Sequence, residues 1–381
     1  MSSEKSIIIV AEIYLPTAAA INRLLAFAKA YGELNIKVKV VFISPNSNFD
    51  KVPLIYKNVQ FVYLWDKLKF RNRYLKYILL RINIILFMFR LKRDDILIVN
   101  NLFNFLWLFR LKRGIQLYYE VTEHPDLINK DNNSFNKLLH RRSLTAAKKL
   151  DGLFVISPSL KEYFVNEIRI KEHRVLVVNM IVDATRFDIY KDTRKQNSIM
   201  YCGTISESKD GIDYLMQSFA LVLKRYPDFK LTILGSFENE QIKQRFYKLM
   251  NELDIKENVD LKGPVAPLDL PRYLCSAKIL VLARPKNKQA QFGFPTKLGE
   301  YLMTANPVVV TKVGDLQEYL SDKKEVIFAE PNNIDDFAEK IIWTLDNYEL
   351  ASEIGELGRE KALKEFNNII EAQKVIDIIF K

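Results

Sequence analysis

Three residues in the stretch PTKLGEYLMTANPVVVT, at 295–311, have the types and spacing to hold a phosphate and a sugar diol. Pro295 suits the first position of a helix, where its missing N–H removes no hydrogen bond. Thr296 and Lys297 then lie in the first turn, beside backbone N–H groups that attract phosphate. Glu300 follows at helical spacing, so the three side chains can share one face. The alternative is an ordinary helix with a favourable start and a Lys–Glu pair.

A second polar stretch, YCGTISESKDG at 201–211, follows a predicted strand. The strand ends at Gly203, a polar loop follows, and Lys209 precedes a helix that begins at Gly211. Ligands of α/β sheets bind at the carboxyl ends of the strands, so Lys209 is placed to meet one. The stretch is neither a P-loop nor a GxGxxG fingerprint. An ordinary solvated loop is the alternative.

Acid–base candidates lie in a third stretch, YYEVTEHPDL at 118–127, which continues a predicted buried strand. Glu123 and His124 come where that strand ends, and Glu120 is a further candidate. A lone histidine is more often structural than catalytic, and His140, in LLHRR, is expected on a basic helix face.

Strands and helices alternate through the whole chain and would position these three stretches. A polar segment without clear period, 183–198, separates two such series and is read as a linker. The predicted strands are 6–14, 37–44, 95–101, 115–123, 151–157, 174–180, 199–204, 229–235, 259–263, 278–284 and 306–311. The predicted helices are 21–34, 136–150, 211–226, 238–253, 267–277, 334–347 and two further segments that reach the end. This pattern predicts two doubly wound α/β domains in tandem, with a cleft between them as the ligand site.

The composition agrees with two globular domains in a reducing compartment. The chain has 381 residues, of which 49% are apolar, enough for two cores. Two cysteines, Cys202 and Cys275, cannot build a disulfide framework, and the start of the chain shows no signal-peptide pattern. A cytoplasmic location is therefore expected.

The net charge of +11 predicts an anionic partner. The basic segment 67–93 indicates which class of anionic partner this is. It holds nine basic residues and no acidic one, interleaved with aliphatic and aromatic side chains. Its apolar part is too short and too charged to span a bilayer. Such a segment suits the headgroup region of an anionic membrane. A core helix with a solvated basic face is the alternative, and a nucleic-acid partner is not expected because no nucleic-acid motif accompanies the charge.

Together, the stretches at 201–211 and 295–311 resemble the C-terminal domain of GT-B glycosyltransferases, in particular retaining glycosyltransferase family 4. The resemblance covers nearly the whole chain and is strongest over 199–366, with markers such as LTILGSF, VDLKGPV and GREKALKEF. It implies an α/β fold of GT-B type, with two tandem Rossmann-like domains and an interdomain cleft. We expect an acceptor-binding domain at 1–185 and a nucleotide-sugar-binding domain at 186–366. A C-terminal helix, about 367–381, would pack back on the first domain.

The resemblance also implies roles for individual residues. Lys209 would contact the donor diphosphate, Glu300 the ribose hydroxyls, and Val265, beyond the strand at 259–263, the base. The implied donor-binding set is Gly203, Thr204, Lys209, Val265, Thr296, Lys297, Leu298 and Glu300. The implied catalytic pair is Glu123 and His124, and the acceptor-side set is Ala18, Ala19 and Asn22.

Three features depart from the family pattern. Thr204 stands where an arginine is common, and Phe292, with Gln291 beside it, stands where a glutamate usually faces the transferred sugar. Ala18 and Ala19 replace glycines of the N-terminal loop. Because of these departures, the identity of the donor sugar is not predicted. A non-catalytic, membrane-bound relative of the glycosyltransferases also stays as an alternative.

The activity implied is transfer of a sugar from a nucleoside diphosphate sugar, UDP- or GDP-linked, to an acceptor hydroxyl with retained configuration. The stretch PTKLGEYL is most similar to members that build bacterial cell-surface polysaccharides, so the acceptor is expected to be a polyprenyl-diphosphate-linked or other glycan. No DxD motif is present, and neither a metal nor a cofactor is expected. The segment 67–93 would hold the enzyme peripherally on the inner face of the plasma membrane. A nucleotide-sugar epimerase of the same fold is a further alternative.

Overall fold

A computed structural model of the chain describes residues 6–15, 19–44, 51–64, 73–128, 134–190 and 192–381. The chain divides into two compact units. The first comprises Met1–Asn179 and Asn368–Lys381, and the second comprises Met180–Asn367. Each unit is an α/β domain around one parallel sheet.

The sheet of the first domain has seven parallel strands among the described residues, in the order β3-β2-β1-β4-β5-β6-β7. The inner strands are runs of aliphatic residues, because helices on both faces exclude water from every side chain. The strands are β1 (Ser6–Ala11), β2 (Lys37–Phe42), β3 (Val59–Tyr63), β4 (Ile96–Asn100), β5 (Gln116–Val121), β6 (Gly152–Val155) and β7 (Val175–Val177).

The helices of this domain alternate with its strands. They are α1 (Ala19–Glu33), α2 (Arg73–Arg90), α3 (Leu106–Phe109), α4 (Pro125–Ile128), α5 (Ser134–Ala147) and α6 (Pro158–Glu162). Helix α3 packs against both α2 and α5, so these three helices lie side by side on the sheet. The basic segment 67–93 thus forms α2 from Arg73 to Arg90, and its first residues, 67–72, lie outside the described ranges.

The sheet of the second domain repeats the same plan with six parallel strands, in the order β10-β9-β8-β11-β12-β13. The strands are β8 (Ser198–Cys202), β9 (Lys230–Leu234), β10 (Val259–Gly263), β11 (Ile279–Leu282), β12 (Val308–Thr311) and β13 (Ile327–Ala329). The helices are α7 (Glu207–Asp210), α8 (Ile212–Leu223), α9 (Glu240–Glu252), α10 (Leu270–Ser276), α11 (Lys288–Phe292), α12 (Thr296–Met303), α13 (Leu316–Tyr319), α14 (Ile334–Asp346) and α15 (Tyr348–Glu365).

The strand order reverses direction between β1 and β4 in one sheet and between β8 and β11 in the other. Loops that leave neighbouring strands on opposite faces open a crevice at such a point, at the carboxyl ends of the strands. Each domain therefore has one edge at which a ligand is expected.

The last helix, α16 (Asn368–Ile379), returns to the first domain and packs on α1. The Asn368 side chain donates to the carbonyl of Ala26, and the buried carboxylate of Glu371 accepts the N–H of Asn179. The observed division at Asn179/Met180 lies a few residues before the expected 185/186. The reason is that Met180 and Val182 bond within the second domain, to Gly299 and Phe366 respectively.

Candidate functional site

Three glycines, which have no side chains, lie at the carboxyl ends of the strands in the second domain, the edge of the sheet where a ligand is expected. Gly203 and Gly235 directly follow β8 and β9, and Gly263 ends β10. A Cβ atom at Gly235 would lie 1.8 Å from the carbonyl oxygen of Gly203, which only glycine permits. Both residues also have φ near +150°, a region that side chains disfavour. The main chain is thus closely packed at Gly203 and Gly235. A Cβ atom at Gly263 would meet nothing within 4 Å, so a ligand can approach the main chain there.

The ammonium group of Lys297 lies directly over this backbone. A Cβ atom at Gly203 would be 2.1 Å from Lys297 Nζ, so the lysine occupies the space that glycine leaves. The same Nζ lies 2.6 Å from Asp210 Oδ2 and 4.8 Å from the centre of the Tyr201 ring. Lys297 is 16% exposed, whereas Asp210 is only 2% exposed. The cation thus faces the edge while its carboxylate partner is enclosed.

A small network fixes Asp210 in place. Tyr201 places its hydroxyl 2.8 Å from Asp210 Oδ2, and Arg284 Nε lies 3.8 Å from the other oxygen. Burial raises the pKa of Asp210, but the charges of Lys297 and Arg284, with hydrogen bonds from Lys297 and Tyr201, outweigh it and hold the pKa below its usual range. Two cations around one ionised carboxylate leave a net positive charge at the edge.

The loop after β8 is fixed at several points. Ser206 begins α7, its hydroxyl accepting the N–H of Lys209, whose carbonyl in turn accepts from Arg284. The side chain of Lys209 is half-exposed, and Thr204 is exposed, with its carbonyl 2.7 Å from the Tyr201 hydroxyl. The segment after β11 also holds the loop, because Asn287 donates to the carbonyl of Ser208 at 2.6 Å.

Helix α12 begins at Thr296, one residue later than predicted. Pro295 has an extended ψ of 99° and stands before the helix rather than at its first position. The N–H of Leu298 donates to the carbonyl of Pro295, and the Leu298 side chain is fully buried. The hydroxyl of Tyr301 accepts the N–H of Cys202 at 2.7 Å, which fastens α12 to the end of β8.

Glu300, the expected ribose ligand, is ion-paired. Arg186 Nη1 lies 2.8 Å from Glu300 Oε1, and Arg186 Nη2 donates to the carbonyl of Pro267 at 2.6 Å. Arg186 lies in the segment 183–198 that was read as a linker, and it ends a short 3₁₀ turn there. Both side chains remain partly exposed, so a ligand can reach the pair.

The edge of the first domain carries the predicted catalytic pair beyond β5. Glu123 is half-buried, and His124 is 2% exposed with its ring 4.2 Å from that of Tyr163. His124 Nδ1 accepts the N–H of Asp126, which places the proton of a neutral imidazole on Nε2. His140 Nε2 lies 3.7 Å from Asp126 Oδ1.

Two expectations in this domain are revised. His140 is buried beside Phe103 rather than on a solvated helix face, and burial lowers its pKa despite the Asp126 charge. Glu120 belongs to the core, where Arg23 Nε lies 2.6 Å from its Oε1 and the Asn100 amide donates to Oε2. Alternation along β5 points Glu120 to the face of the sheet opposite that of Tyr119, where Arg23 encloses it.

On the acceptor side, Ala18 lies outside the described residues. Ala19 is the first residue of α1, and Asn22 is half-buried in its first turn, next to the buried Arg23. Among the described residues, no group of three or more His, Cys, Asp or Glu is arranged to hold a metal ion. Over the same ranges, no helix combines the length and the hydrophobicity needed to cross a bilayer.

Residues 196–347 match the family model described as "Glycosyl transferases group 1". The matched residues all lie in the second domain. The chain is 22% identical over 69% of its length to mannosylfructose-phosphate synthase of Agrobacterium fabrum. It is also 22% identical over 72% of its length to poly(ribitol-phosphate) alpha-N-acetylglucosaminyltransferase of Staphylococcus aureus. It spans 60% and 53% of the lengths of these two relatives.

The fold of the whole chain is also that of solved glycosyltransferases. A mutant of S. aureus TarM, in complex with Fondaparinux, alpha-GlcNAc-glycerol and UDP, aligns with a TM-score of 0.76 and 13% identity. The alignment covers 99% of this chain and 100% of that one. The prediction of a GT-B fold is therefore confirmed. The match of 196–347 to the family model bears out the predicted glycosyltransferase resemblance.

Within the second domain, the structure brings several predicted donor residues to one edge. Gly203, Thr204 and Lys209 lie on the loop after β8, and Lys297 reaches over Gly203 from α12. Val265 is half-buried just beyond β10. The sequence reasoning missed Arg186 and Asp210, whose partners are 114 and 87 residues away in the chain. No local pattern marks either residue.

Proposed function

We propose that the protein is a retaining glycosyltransferase that needs no metal and moves a sugar from a nucleoside diphosphate sugar to a hydroxyl of a glycan. The observation that carries this proposal is the position of Lys297 over the bare backbone of Gly203. An ammonium ion at this edge is placed to bind the phosphates of a donor. UDP in the TarM complex favours a UDP-linked donor over a GDP-linked one.

In the proposed reaction, the bond between the anomeric carbon and the diphosphate oxygen breaks, and its electron pair leaves with the diphosphate. The acceptor oxygen bonds to the same face of an oxocarbenium-like centre. The acceptor proton passes to the departing diphosphate, so no protein nucleophile is required. Lys297 and Lys209 would stabilise the negative charge that grows on the leaving group.

Asp210 and Arg186 would act as positioning residues in this scheme. Asp210 holds the Lys297 ammonium in one place, which avoids reorganisation when the leaving group becomes charged. Arg186 orients the Glu300 carboxylate, which would accept hydrogen bonds from the ribose diol. Thr296 and the first turn of α12 would contribute further contacts to the phosphates.

In the first domain, Glu123 and His124 would contact the transferred sugar or the acceptor. The Nδ1 contact with Asp126 leaves the Nε2–H of His124 as the hydrogen-bond donor. Ala19 and Asn22, at the start of α1, would lie on the acceptor side.

The acceptor is proposed to be a lipid-linked glycan of a cell-surface polysaccharide, met by an enzyme bound peripherally to the cytoplasmic face of the membrane. This part rests on α2, which exposes an apolar stripe with residues three or four apart. Phe89, for example, is 76% exposed. The stripe consists of Leu75, Ile78, Ile82, Leu86 and Phe89. Basic residues flank it, an arrangement typical of helices that lie in the headgroup region of anionic membranes.

The test is thermal unfolding of the wild type and of Glu300→Ala with UDP, GDP, ADP, CMP and dTDP in turn. A ligand at 100 times its Kd adds about 2.7 kcal/mol to the stability of the native state. We expect UDP to raise the Tm of the wild type and to lose most of that effect in Glu300→Ala. Glu330→Ala, which removes an exposed carboxylate paired with Lys312, is the control. If no nucleotide stabilises the wild type, the donor site is misread, and a non-catalytic partner protein becomes the better proposal.

A further inference from the structure

The first domain carries an open, strongly basic groove that none of the proposed chemistry uses. It has a volume of about 420 Å³ and lies between α3 and α5. Four of its lining residues are cations and one is an indole. The lining includes Trp107, Arg110, Arg141, Arg142, Thr145 and Lys149.

The groove is remote from the edge that carries Glu123 and His124. Helix α3 leads into the start of β5, and α5 leads into the start of β6. Arg110 and Lys149, which follow these helices, therefore lie toward the amino ends of the strands. Because ligands of the reaction are expected at the carboxyl ends, the groove serves something else.

The polar groups of the groove lack partners of opposite charge. Across the described ranges, no carboxylate forms an ion pair with Arg110, Arg141, Arg142 or Lys149. In the same ranges, Trp107 Nε1 and Arg110 Nε are buried donors without an acceptor. Buried N–H groups in native proteins nearly always have an acceptor. An anionic oxygen would supply it for both.

We infer that this groove binds the phosphate group of an anionic phospholipid headgroup. Arginine forks match phosphate oxygens, and Arg142, 5.6 Å from the centre of the Trp107 ring, is held in place by that stacking. A lipid headgroup is favoured over a free phosphate because the groove lies next to α2, the helix proposed to contact the membrane. Arg81 of α2 lies 4.1 Å from the centre of the Tyr77 ring and 5.4 Å from that of Phe105, just before α3. Helix α2 and the groove therefore both adjoin the same short helix, α3.

This inference rests on the membrane contact in the proposed function, but not on sugar transfer. The stripe would enter the headgroup layer and bring the groove to the depth of the phosphates. The groove would then select anionic over neutral lipid, whereas the stripe alone binds both.

The experiment is co-sedimentation of the full chain with vesicles of phosphatidylcholine, alone or mixed with phosphatidylglycerol. The groove variant is Arg141→Gln/Arg142→Gln, whose two side chains are exposed, so folding should be retained. The control is Lys171→Gln/Lys256→Gln, which removes the same charge from exposed positions outside the groove. We expect the groove variant to lose about 20-fold in affinity for the anionic vesicles and the control less than about threefold.

Equal losses in the two variants would mean that only overall charge matters and would overturn the inference. A groove variant that binds anionic vesicles like the wild type would also overturn it. If that variant, with UDP saturating the donor site, also loses the thermal stabilisation that inorganic phosphate gives the wild type, the groove's ligand is a soluble phosphate. Thermal stabilisation by UDP, measured in parallel, distinguishes failure of the groove proposal from failure of the donor-site proposal. The groove variant should still be stabilised by UDP. If UDP does not stabilise even the wild type, only the donor-site proposal is contradicted.

Discussion

Two buried carboxylates, one in each domain, differ in where their cationic partners lie. Glu120 and Arg23 are both enclosed, with 8% and 3% of their side chains exposed. Asp210 is even more buried, at 2% exposed, but Lys297 keeps 16% of its side chain exposed. Arg23 also donates to the carbonyls of Val178 and Asn179, so it joins α1 to the end of β7. We expect the enclosed pair to contribute mainly to stability, and the half-open pair, under the proposed function, to present a charge to the donor.

The strongest test of this contrast is Arg23→Ala. It leaves Glu120 buried without its cation, so we expect a loss of about 3–5 kcal/mol in the free energy of unfolding. Urea unfolding of the full chain would measure it. Arg113→Ala, which removes an exposed arginine of the same domain, should stay within about 0.5 kcal/mol of the wild type. A loss no larger than that of the control would show that the enclosed pair is dispensable.

Lys297→Met should act on catalysis instead. Removing one preorganised donor to a developing anion lowers kcat about 10²–10³-fold. Stability should fall less than in Arg23→Ala, because Asp210 keeps Arg284 and the Tyr201 hydroxyl. Initial rates of sugar transfer from the stabilising donor, with urea unfolding alongside, would separate the two effects. Lys256→Met, at an exposed site, is the control. Unfolding as severe as that of Arg23→Ala would make Lys297 structural as well.

Arg186→Gln tests the second partly exposed ion pair, between Arg186 and Glu300. If Arg186 orients Glu300, its loss should raise the Kd for UDP about three- to tenfold, near 1 kcal/mol for a partly exposed pair. Calorimetric titration would measure the Kd, and Arg186→Lys should restore part of it. A lower Kd would reverse the assignment, since Arg186 would then compete with the ribose for the carboxylate.

The smallest effect expected is on the pH dependence of stability. The pKa of Asp210 is lower in the folded state than its usual 3.8, so its stabilising contribution is complete well above pH 3.8. That contribution is lost as the pH falls through the folded-state value. Asp210→Asn should therefore be less stable than the wild type at neutral pH, and the gap should narrow below pH 3.8. Urea unfolding at pH 7, 5 and 3 would follow it, and a constant gap would contradict the ionised assignment.

The sequence pattern predicts most of the fold, because buried parallel strands are uninterrupted aliphatic runs. It fails at β3, whose residues at the sheet edge are partly exposed, and at β13, which has only three residues. Neither forms an apolar run long enough to stand out. Helix ends shift by a residue or two, as at Pro295, where local backbone geometry decides.

The candidate site is predictable where its residues follow strand ends or begin a helix. Gly203, Lys209 and His124 are of the first kind, and Lys297 and Glu300 are of the second. Asp210 and Arg186 are not, because their importance comes from contacts with Lys297 and Glu300, formed only once the sheet is assembled. Glu120 was a catalytic candidate because it lies near a strand end, yet its side chain is in the core. A shift of one position along a strand moves a side chain to the other face of the sheet, and the sequence alone does not fix which face is closed by Arg23.

The return of α16 to the first domain has a consequence for folding during synthesis. Ala372, Val375, Ile376 and Ile379 are buried there, against a domain whose other residues are all made before Met180. On the ribosome, the second domain has all of its chain before α16 exists. The first domain cannot be completed until α16 is made. Until then, the surface of α1 that α16 later covers stays exposed, for as long as translation of the second domain takes. At about 5–20 residues per second, that wait lasts on the order of ten seconds or more. Nascent chains of this protein should therefore be most prone to aggregate through α1.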